Sequence, residues 1–565
     1  MKNITLWLLP VLIAASSAQR AQAQFDGTPA QHVLASGGAA GDRFGHAVAL
    51  SANTLAVGAP GKGSGAVTVF ERVGGLWQFA AELSASGLDD DAEFGFALAL
   101  QADRLLVGAP GHRLGTPWKR GVAFVFERGG AGAWNQTAML QSAAVGDHNA
   151  FGTALALDGD RAAIGAPGAP WNSLPQVGLV SVFELAAGAW TPSATVGPSD
   201  AWINYEFGAS VALRAGELVV GAPRRKLPSA TSFDAAVYTF TFGASGWTQA
   251  QILTDTLPGD RLDQLGRSLA FDGQTIVAGS DGQWYSSYSA QGALTFERSG
   301  SQWIAKQRLT SATNSFAGSA VAVEGDTLVL GARNSGTSAG VSGGAASAWT
   351  LQPSGWSERV RLLDSAPQST AECGAAIAIA SGQLALGSPG ASVNAQTDVG
   401  VVLVFDAPTS FGEVLCFGDG SGASCPCAAH VATTHGPGCR NSSGFGTLLV
   451  GGGSASVASD DLSLTAVRLP AGKTAVLVYR FGAANGGAGV PLHDGLLCVS
   501  GAGGRLGSRS ASVFPFAATW GPGLGAQLGA PSGTSVYFQV WYRDPAGACG
   551  SGSNFSNAFR VQLTP

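Results

Sequence analysis

Short apolar runs separated by tight turns dominate the first two thirds of the chain. The stretch "FGHAVALSANTLAVGAP", from Phe44 to Pro60, places two small, apolar segments on either side of a brief polar break. This pattern is typical of two short strands joined by a tight turn. Nearly the same stretch returns as "FGFALALQADRLLVGAP" from Phe94 and as "FGTALALDGDRAAIGAP" from Phe151. A hairpin that recurs at regular intervals predicts a repeat architecture.

The repeat can be followed through seven copies by the glycine that opens its first strand and the glycine that closes its second. The two glycines are 13 residues apart in every copy, and successive copies start 50 to 58 residues apart. The pairs are Gly45 and Gly58, Gly95 and Gly108, Gly152 and Gly165, Gly208 and Gly221, Gly266 and Gly279, Gly318 and Gly331, and Gly374 and Gly387. The copies continue with an alternating third segment such as "GAVTVF" and a fourth that carries Trp and then Leu, such as "LWQFAAEL". Four strands per period predict a propeller blade, and seven copies predict seven blades.

The two ends of the repeat region predict how the ring closes. The seventh copy stops after its third strand, at "GVVLVFDAP". An orphan segment that resembles a fourth strand, "QHVLAS" at residues 31–36, precedes the first copy. We expect it to complete the last blade, since open strand edges otherwise invite aggregation.

With Phe-Gly opening the first strand and Gly-Ala-Pro closing the second, the repeat resembles the FG-GAP repeats of the integrin alpha-chain propeller, and the chain is similar to secreted bacterial proteins that carry them. The resemblance covers roughly residues 31–408 and implies the propeller fold. It also raises the possibility of calcium, because integrin-type repeats often hold a calcium loop between the first two strands. Here that connection is only a turn, such as "DGD" at 158–160 or "EGD" at 324–326. A hard cation takes six to eight oxygens, so we predict no metal residues and no cofactor.

One face of such a propeller carries the longer loops, which join strands 2 and 3 of a blade and strand 4 to the next blade. We call it the long-loop face. Loops on a rigid scaffold commonly carry function, and aromatic side chains there are candidate platforms for sugars or anchors for a protein. The alternative is that these side chains fill gaps between blades. The candidate ligand-binding residues are Trp118, Lys119, Arg120, Trp171, Trp202, Tyr205, Trp284, Tyr285 and Tyr288.

A second set of tryptophans recurs with the repeat itself. A residue repeated at the structural period is more often a packing residue than a ligand contact, so we expect these tryptophans to pack within or between blades. They are Trp77, Trp134, Trp190, Trp247, Trp303 and Trp356.

The N-terminus and the charge balance restrict location and partners. Lys2, the apolar run "LWLLPVLIAA" and the small residues "AQA" at 21–23 predict a signal peptide over residues 1–23. No later segment is long and apolar enough to span a membrane, so we expect a mature chain without a transmembrane segment, secreted to the extracellular space or cell surface.

Charged residues make up only 12% of the chain and the net charge is −6. Nucleic acid is therefore not an expected partner.

Cysteine usage marks a second domain after the propeller of residues 24–409. Six of the seven cysteines lie in residues 410–565: Cys416, Cys425, Cys427, Cys439, Cys498 and Cys549. In an exported chain these are disulfide candidates, with a zinc site that includes His430 and His435 as the alternative. Short alternating runs such as "TAVLVYRF" predict a β-sandwich. The predicted fold is thus all-β, a seven-bladed β-propeller followed by a small disulfide-containing β-sandwich domain.

No catalytic constellation is recognisable. The G-x-S-x-G matches at 336–344 lie in a Gly/Ser-rich loop rather than in a strand–turn–helix elbow. We therefore predict a non-catalytic binding or adhesion protein that uses the long-loop face, with an extracellular protein or a polysaccharide as ligand. The alternatives are a lectin-like polysaccharide-binding module and a secreted carbohydrate-active enzyme on a propeller scaffold.

Overall fold

The computed structural model separates the chain into two compact units. The first contains Gln24–Ala407 and the second contains Pro408–Pro565. The structure describes residues 29–564 apart from 74–75, 117, 131, 227–233, 259–260, 281–290, 312–316, 337–341, 353–354, 365–366, 407–411, 417, 419–422, 430–437, 445, 453–454, 459, 461 and 513–516.

The first unit consists of seven four-stranded antiparallel sheets, which we number as blades 1 to 7. A single strand precedes them, β1 (Gln31–Val33). Blade 1 contains β2 (Ala47–Leu50), β3 (Thr54–Ala59), β4 (Ala66–Val73) and β5 (Leu76–Leu83). Blade 2 contains β6 (Leu98–Gln101), β7 (Arg104–Ala109), β8 (Val122–Arg128) and β9 (Trp134–Leu140). Blade 3 contains β10 (Ala154–Asp158), β11 (Arg161–Ala166), β12 (Leu179–Ala186) and β13 (Ala189–Val196).

The later blades follow the same order. Blade 4 contains β14 (Ser210–Arg214), β15 (Glu217–Ala222), β16 (Ala236–Gly243) and β17 (Gly246–Leu253). Blade 5 contains β18 (Ser268–Phe271), β19 (Thr275–Ser280), β20 (Gly292–Ser299) and β21 (Gln302–Leu309). Blade 6 contains β22 (Ala320–Glu324), β23 (Thr327–Ala332), β24 (Ala345–Gln352) and β25 (Gly355–Leu362). Blade 7 contains β26 (Ala376–Ala380), β27 (Gln383–Ser388) and β28 (Val401–Asp406), with β1 as its fourth strand.

The blades form a closed ring around their first strands. Each first strand contacts the first strand of the next blade, and β26 of blade 7 contacts β2 of blade 1. The N-terminal strand β1 pairs antiparallel with β28, so the two ends of the unit share one blade. The strand ends at Val33 rather than reaching Ser36, because the chain turns at Ser36 and Gly37 towards blade 1.

The two glycines of each repeat have a common structural role. Within a blade, the N–H of the first donates to the carbonyl oxygen of the second, at 2.8 to 3.1 Å in all seven copies. Between blades, the second glycine lies against the carbonyl oxygen of the first glycine in the following blade. A Cβ on Gly58 would stand 2.0 Å from the Gly95 oxygen, and one on Gly387 would stand 1.9 Å from the Gly45 oxygen of blade 1. The motif thus marks the place where the backbones of adjacent blades meet without a side chain between them.

The recurring tryptophans pack as expected. Trp77, Trp134, Trp303 and Trp356 are buried, while Trp190 and Trp247 are half-buried. Glutamine side chains tie the main chain at several of these positions to a neighbouring blade. Gln251 of blade 4 accepts from the N–H of Trp303 in blade 5 at 2.8 Å and donates to its carbonyl at 3.0 Å.

The second unit is a sandwich of two sheets over one core. Its strands are β29 (Gly412–Leu415), β30 (Leu448–Gly452), β31 (Ser463–Val467), β32 (Thr474–Ala483), β33 (Val490–Leu492), β34 (Gly495–Leu497), β35 (Val499–Ser510), β36 (Ala518–Trp520), β37 (Ser535–Asp544) and β38 (Gly552–Gln562). Its helices are α1 (Leu524–Leu528) and two 3-10 turns (Pro426–Ala428 and Ala484–Gly487). A five-stranded sheet, β29-β38-β37-β32-β35, shares its core with a three-stranded sheet, β30-β31-β36, and β33 and β34 form a separate hairpin.

The six cysteines of this unit form three disulfides, so the expected disulfide framework is confirmed. The pairs are Cys416–Cys498, Cys425–Cys439 and Cys427–Cys549. The seventh cysteine, Cys373 of the propeller, is free and buried. His430 and His435 lie outside the described residues.

Candidate functional site

A half-exposed tryptophan marks one end of the loop between the second and third strands of blade 2. The Trp118 side chain is 50% exposed, and its ring centroid lies 4.7 Å from that of His148. His148 belongs to the loop that leads from blade 2 to blade 3. The two loops are joined along the main chain, since His148 N–H donates to the Lys119 carbonyl at 2.7 Å and Phe151 N–H to the Arg120 carbonyl at 3.0 Å. These main-chain hydrogen bonds between the two loops hold the Trp118–His148 pair in place.

Two ion pairs lie next to this aromatic pair. Lys119 Nζ is 3.0 Å from Glu93 Oε1, and Arg120 Nε is 2.7 Å from Asp147 Oδ1. All four side chains are partly exposed, so their charges are largely screened and their polar atoms remain accessible to a ligand. We call Trp118, His148 and the two ion pairs the Trp118 site.

Some residues of the Trp118 site were predicted from the sequence, and the others become visible only in the structure. Trp118, Lys119 and Arg120 are brought together by one loop, as their adjacency requires. Glu93, Asp147 and His148 come from two other loops. Nothing in the local sequence marks Glu93 as part of a site, since it precedes the Phe-Gly of its copy where blade 1 carries Arg43.

The other aromatic candidates have different surroundings. Trp202 is 41% exposed, as is its neighbour Ile203. Trp171 is half-buried, and its ring covers Gly197, where a Cβ would approach the indole to 2.3 Å. The prediction that Tyr205 presents its ring to a ligand is wrong, because the residue is fully buried. Trp284, Tyr285 and Tyr288 lie outside the described residues.

Tyr205 is buried because it belongs to a polar cluster that fastens the loop between blades 3 and 4. Its hydroxyl donates to the Asp200 carbonyl at 2.9 Å, and the Tyr238 hydroxyl donates to Asp200 Oδ1 at 2.6 Å. Arg225 bridges the Asp200 and Asp234 carboxylates, at 2.8 and 2.6 Å. Burial, with the Asp200 charge, raises the pKa of Tyr205 to about 12, and burial followed by the hydrogen bond to Asp200 raises the pKa of Tyr238 further. Both phenols stay protonated and act as fixed donors.

The turns between first and second strands do not fit a calcium ion. Asp158 Oδ2 already accepts from the Ala215 N–H of blade 4 at 2.7 Å, and Asp160 lies 3.4 Å from Arg104. Glu324 of blade 6 accepts from the Ser381 N–H of blade 7 at 3.0 Å. These carboxylates hold one blade to the next, so their oxygens are committed. Within the described part of the chain, no group of three or more His, Cys, Asp or Glu side chains is placed to hold a metal ion.

Comparison with known proteins agrees with the repeat and the blades. The FG-GAP repeat model matches residues 28–70, which span β1 to most of β4. Together with seven four-stranded blades closed into a ring, this defines the class of protein: a β-propeller that carries FG-GAP repeats. No curated protein matches the chain.

Three solved structures illustrate the similarity. A chain of the mitotic checkpoint complex is 11% identical, with a TM-score of 0.42 over 72% of this chain and 99% of that one. A protein from Lactobacillus plantarum is 13% identical, with a TM-score of 0.37 over 57% and 85%. A putative 6-phosphogluconolactonase from Bacteroides uniformis is 12% identical, with a TM-score of 0.39 over 57% and 86%. Similarity at this level carries no functional conclusion.

One structural observation bears on the membrane. Among the residues that the structure describes, no helix is both long enough and apolar enough to cross a bilayer.

Proposed function

We propose that the protein is a secreted, non-catalytic binding protein that holds its ligand on the long-loop face of the propeller, at the Trp118 site. The observation that carries this proposal is the half-exposed indole of Trp118, braced by His148 and flanked by two ion pairs. An indole left in water forgoes the burial that most tryptophans obtain, so an exposed and fixed one is a candidate binding surface.

The chemistry of the site favours a polysaccharide over other ligands. An aromatic ring can stack against the apolar face of a pyranose, while neighbouring carboxylate and guanidinium groups can bond its hydroxyls. Because Lys119 is paired with Glu93 and Arg120 with Asp147, the site has no uncompensated charge among its described residues. We therefore propose a neutral polysaccharide rather than a strongly anionic one.

Export of the chain is part of the same proposal. The predicted signal peptide at 1–23 supports export of the chain, and the three disulfides of the second unit are typical of an oxidising compartment. The protein would then act outside the cell or at its surface.

A protein partner is the second candidate, and a different observation favours it. Trp202 and Ile203 are adjacent and each 41% exposed. Tryptophan is enriched among the residues that dominate protein interfaces, so this apolar pair would serve as an anchor.

A polysaccharide panel with the purified mature chain tests the proposal. We expect retention on one or more neutral polysaccharides without release of new chain ends. Trp118→Ala should weaken binding by roughly 10- to 100-fold, as the loss of about 1–3 kcal/mol of aromatic contact implies. Phe79→Ala is the matched control, because Phe79 is an aromatic residue of β5 with a similar exposure of 55%. Release of new chain ends would instead establish an enzyme, and retention on none of the polysaccharides would favour the protein partner.

A further inference from the structure

Two buried carboxylates face each other in the sandwich unit. Asp494 and Asp544 are both 0% exposed. Asp494 lies in the turn between β33 and β34, and Asp544 is the last residue of β37. A Cβ on Gly547 would stand 2.0 Å from Asp494 Oδ2 and 3.0 Å from Asp544 Oδ2, so the two carboxylates converge on one point beside this glycine.

Each carboxylate is only half satisfied. Asp494 Oδ1 accepts from the Ser551 N–H at 3.2 Å, and Asp544 Oδ2 accepts from the Ser442 N–H at 3.0 Å. Asp494 Oδ2 and Asp544 Oδ1 are buried and have no hydrogen-bond partner in the part of the chain that the structure describes. Neither Asp forms an ion pair with a described Lys, Arg or His. Two uncompensated buried charges are strongly unfavourable, so a cation bound between them would stabilise this unit.

We propose that this site binds a calcium ion. Its known donors are all carboxylate oxygens, which select a hard cation rather than zinc or copper. Ca²⁺ sheds its water more readily than Mg²⁺ and accepts irregular coordination, so it suits a site that is closed to solvent. The two carboxylates would supply up to four of the six to eight oxygens that Ca²⁺ takes.

The fold holds the site in place from two directions. The loop after Asp544 carries Cys549, which is bonded to Cys427, and this loop also supplies the Ser551 N–H that contacts Asp494. Tyr542 lies two residues before Asp544 on the same face of β37. Residues two apart on a strand face the same side of the sheet, so Tyr542 is a neighbour of Asp544.

The site differs from the calcium loops that the FG-GAP resemblance suggests. It lies in the other unit, and one oxygen of each carboxylate has no hydrogen-bond partner among the described residues, whereas the carboxylates of the blade turns bond to neighbouring blades. The inference is therefore independent of the proposed polysaccharide binding.

Thermal unfolding and terbium luminescence of the full mature chain test the proposal. After treatment with EGTA, 5 mM Ca²⁺ should raise the unfolding midpoint of the sandwich unit by about 5–10 °C, the shift expected for a ligand well above its dissociation constant. Mg²⁺ at the same concentration should raise it by less than half as much. Tb³⁺ should show luminescence sensitised by the aromatic side chains near the site, Tyr542 among them, on excitation near 280 nm, and Ca²⁺ should reduce it by competition.

Isosteric variants locate the effect. Asp494→Asn and Asp544→Asn should each abolish the Ca²⁺ shift. Asp460→Asn is the matched control, because Asp460 also accepts a main-chain N–H in this unit, from Ala526 at 3.0 Å, and should keep the shift. If Ca²⁺ moves no midpoint and Tb³⁺ gives no sensitised signal in the wild-type chain, the proposal is refuted. The terbium measurement needs no variant, so it decides the matter even if both substitutions prevent folding.

Discussion

Substituting a single glycine where two blades meet should separate steric from conformational effects in the repeat. Gly221 closes the second strand of blade 4, and its backbone is ordinary extended strand. A Cβ there would lie 2.0 Å from the Gly266 carbonyl oxygen of blade 5 and 2.4 Å from Ser210 Oγ. Real Cβ atoms essentially never approach another atom closer than 3.0 Å, so Gly221→Ala must push the two backbones apart by about 1 Å.

The cost follows from what that displacement breaks. Overpacking of a close-packed interior costs about 1–3 kcal/mol, and losing the hydrogen bond from Ser210 Oγ to the Gly266 carbonyl adds about 1 kcal/mol. We expect a loss of about 3 kcal/mol. With an unfolding entropy of about 0.8 kcal/mol/K for a unit of this size, the propeller midpoint should fall by about 4 °C in calorimetry.

A glycine in the same blade provides the control. Gly243 ends β16, and a Cβ there would meet nothing within 4 Å. Gly243→Ala should change stability by no more than about 0.5 kcal/mol, which is at most about 1 °C. If Gly221→Ala and Gly243→Ala unfold at the same temperature, the glycine pairs do not set the spacing of the blades and our reading of the repeat is incorrect.

Three further predictions concern a histidine, a cysteine and a glutamine of the propeller. Burial, with the nearby Arg43 charge, lowers the pKa of His46 from 6.5 to about 4. The unfolded chain therefore takes up a proton first, stability falls as the pH drops from 6.5 to 4 by about 1–3 kcal/mol, and His46→Gln should flatten this part of the pH–stability curve. Burial raises the pKa of the Cys373 thiol to about 12, so it should resist a thiol reagent at pH 8 in the native chain and react fully in denaturant; equal rates in both would contradict its burial. Gln251→Leu removes both bonds to the Trp303 main chain and should cost about 1–3 kcal/mol in urea unfolding, whereas an unchanged midpoint would show that the tie is dispensable.

Much of the architecture could be predicted because it repeats. A spacing of 13 residues held through seven copies is a local property, and the backbone pairing of two adjacent strands follows from local pattern alone. The degenerate copies, which begin with Leu265, Ala317 and Cys373 in place of Phe, still form blades, since the glycine after each of them keeps the contact between backbones. The number of cysteines and their placement likewise predicted a stapled second unit, but not which residues pair.

The site was less predictable, because exposure is not a local property. Trp118 and Tyr205 are both aromatic residues in loops of the long-loop face, and the sequence offers no reason to separate them. Trp118 contacts His148 of another loop and remains half exposed. Tyr205 is buried in a cluster around Asp200, which lies five residues before it. The Tyr205 hydroxyl donates to the Asp200 carbonyl, and the hydroxyl of Tyr238, from a strand distant along the chain, donates to the Asp200 carboxylate.

The sequence by itself determined the class of fold, the count of blades, the two-unit organisation and the small residues needed where blades touch. These follow from periodicity and from the steric freedom of glycine, which act within one copy of the repeat. Only the tertiary structure decided which loop residues share a surface, which carboxylates are committed to a neighbouring blade and which remain unpaired inside the sandwich. Those properties arise between segments that are distant along the chain, where packing rather than local pattern sets each side chain's solvent and partners.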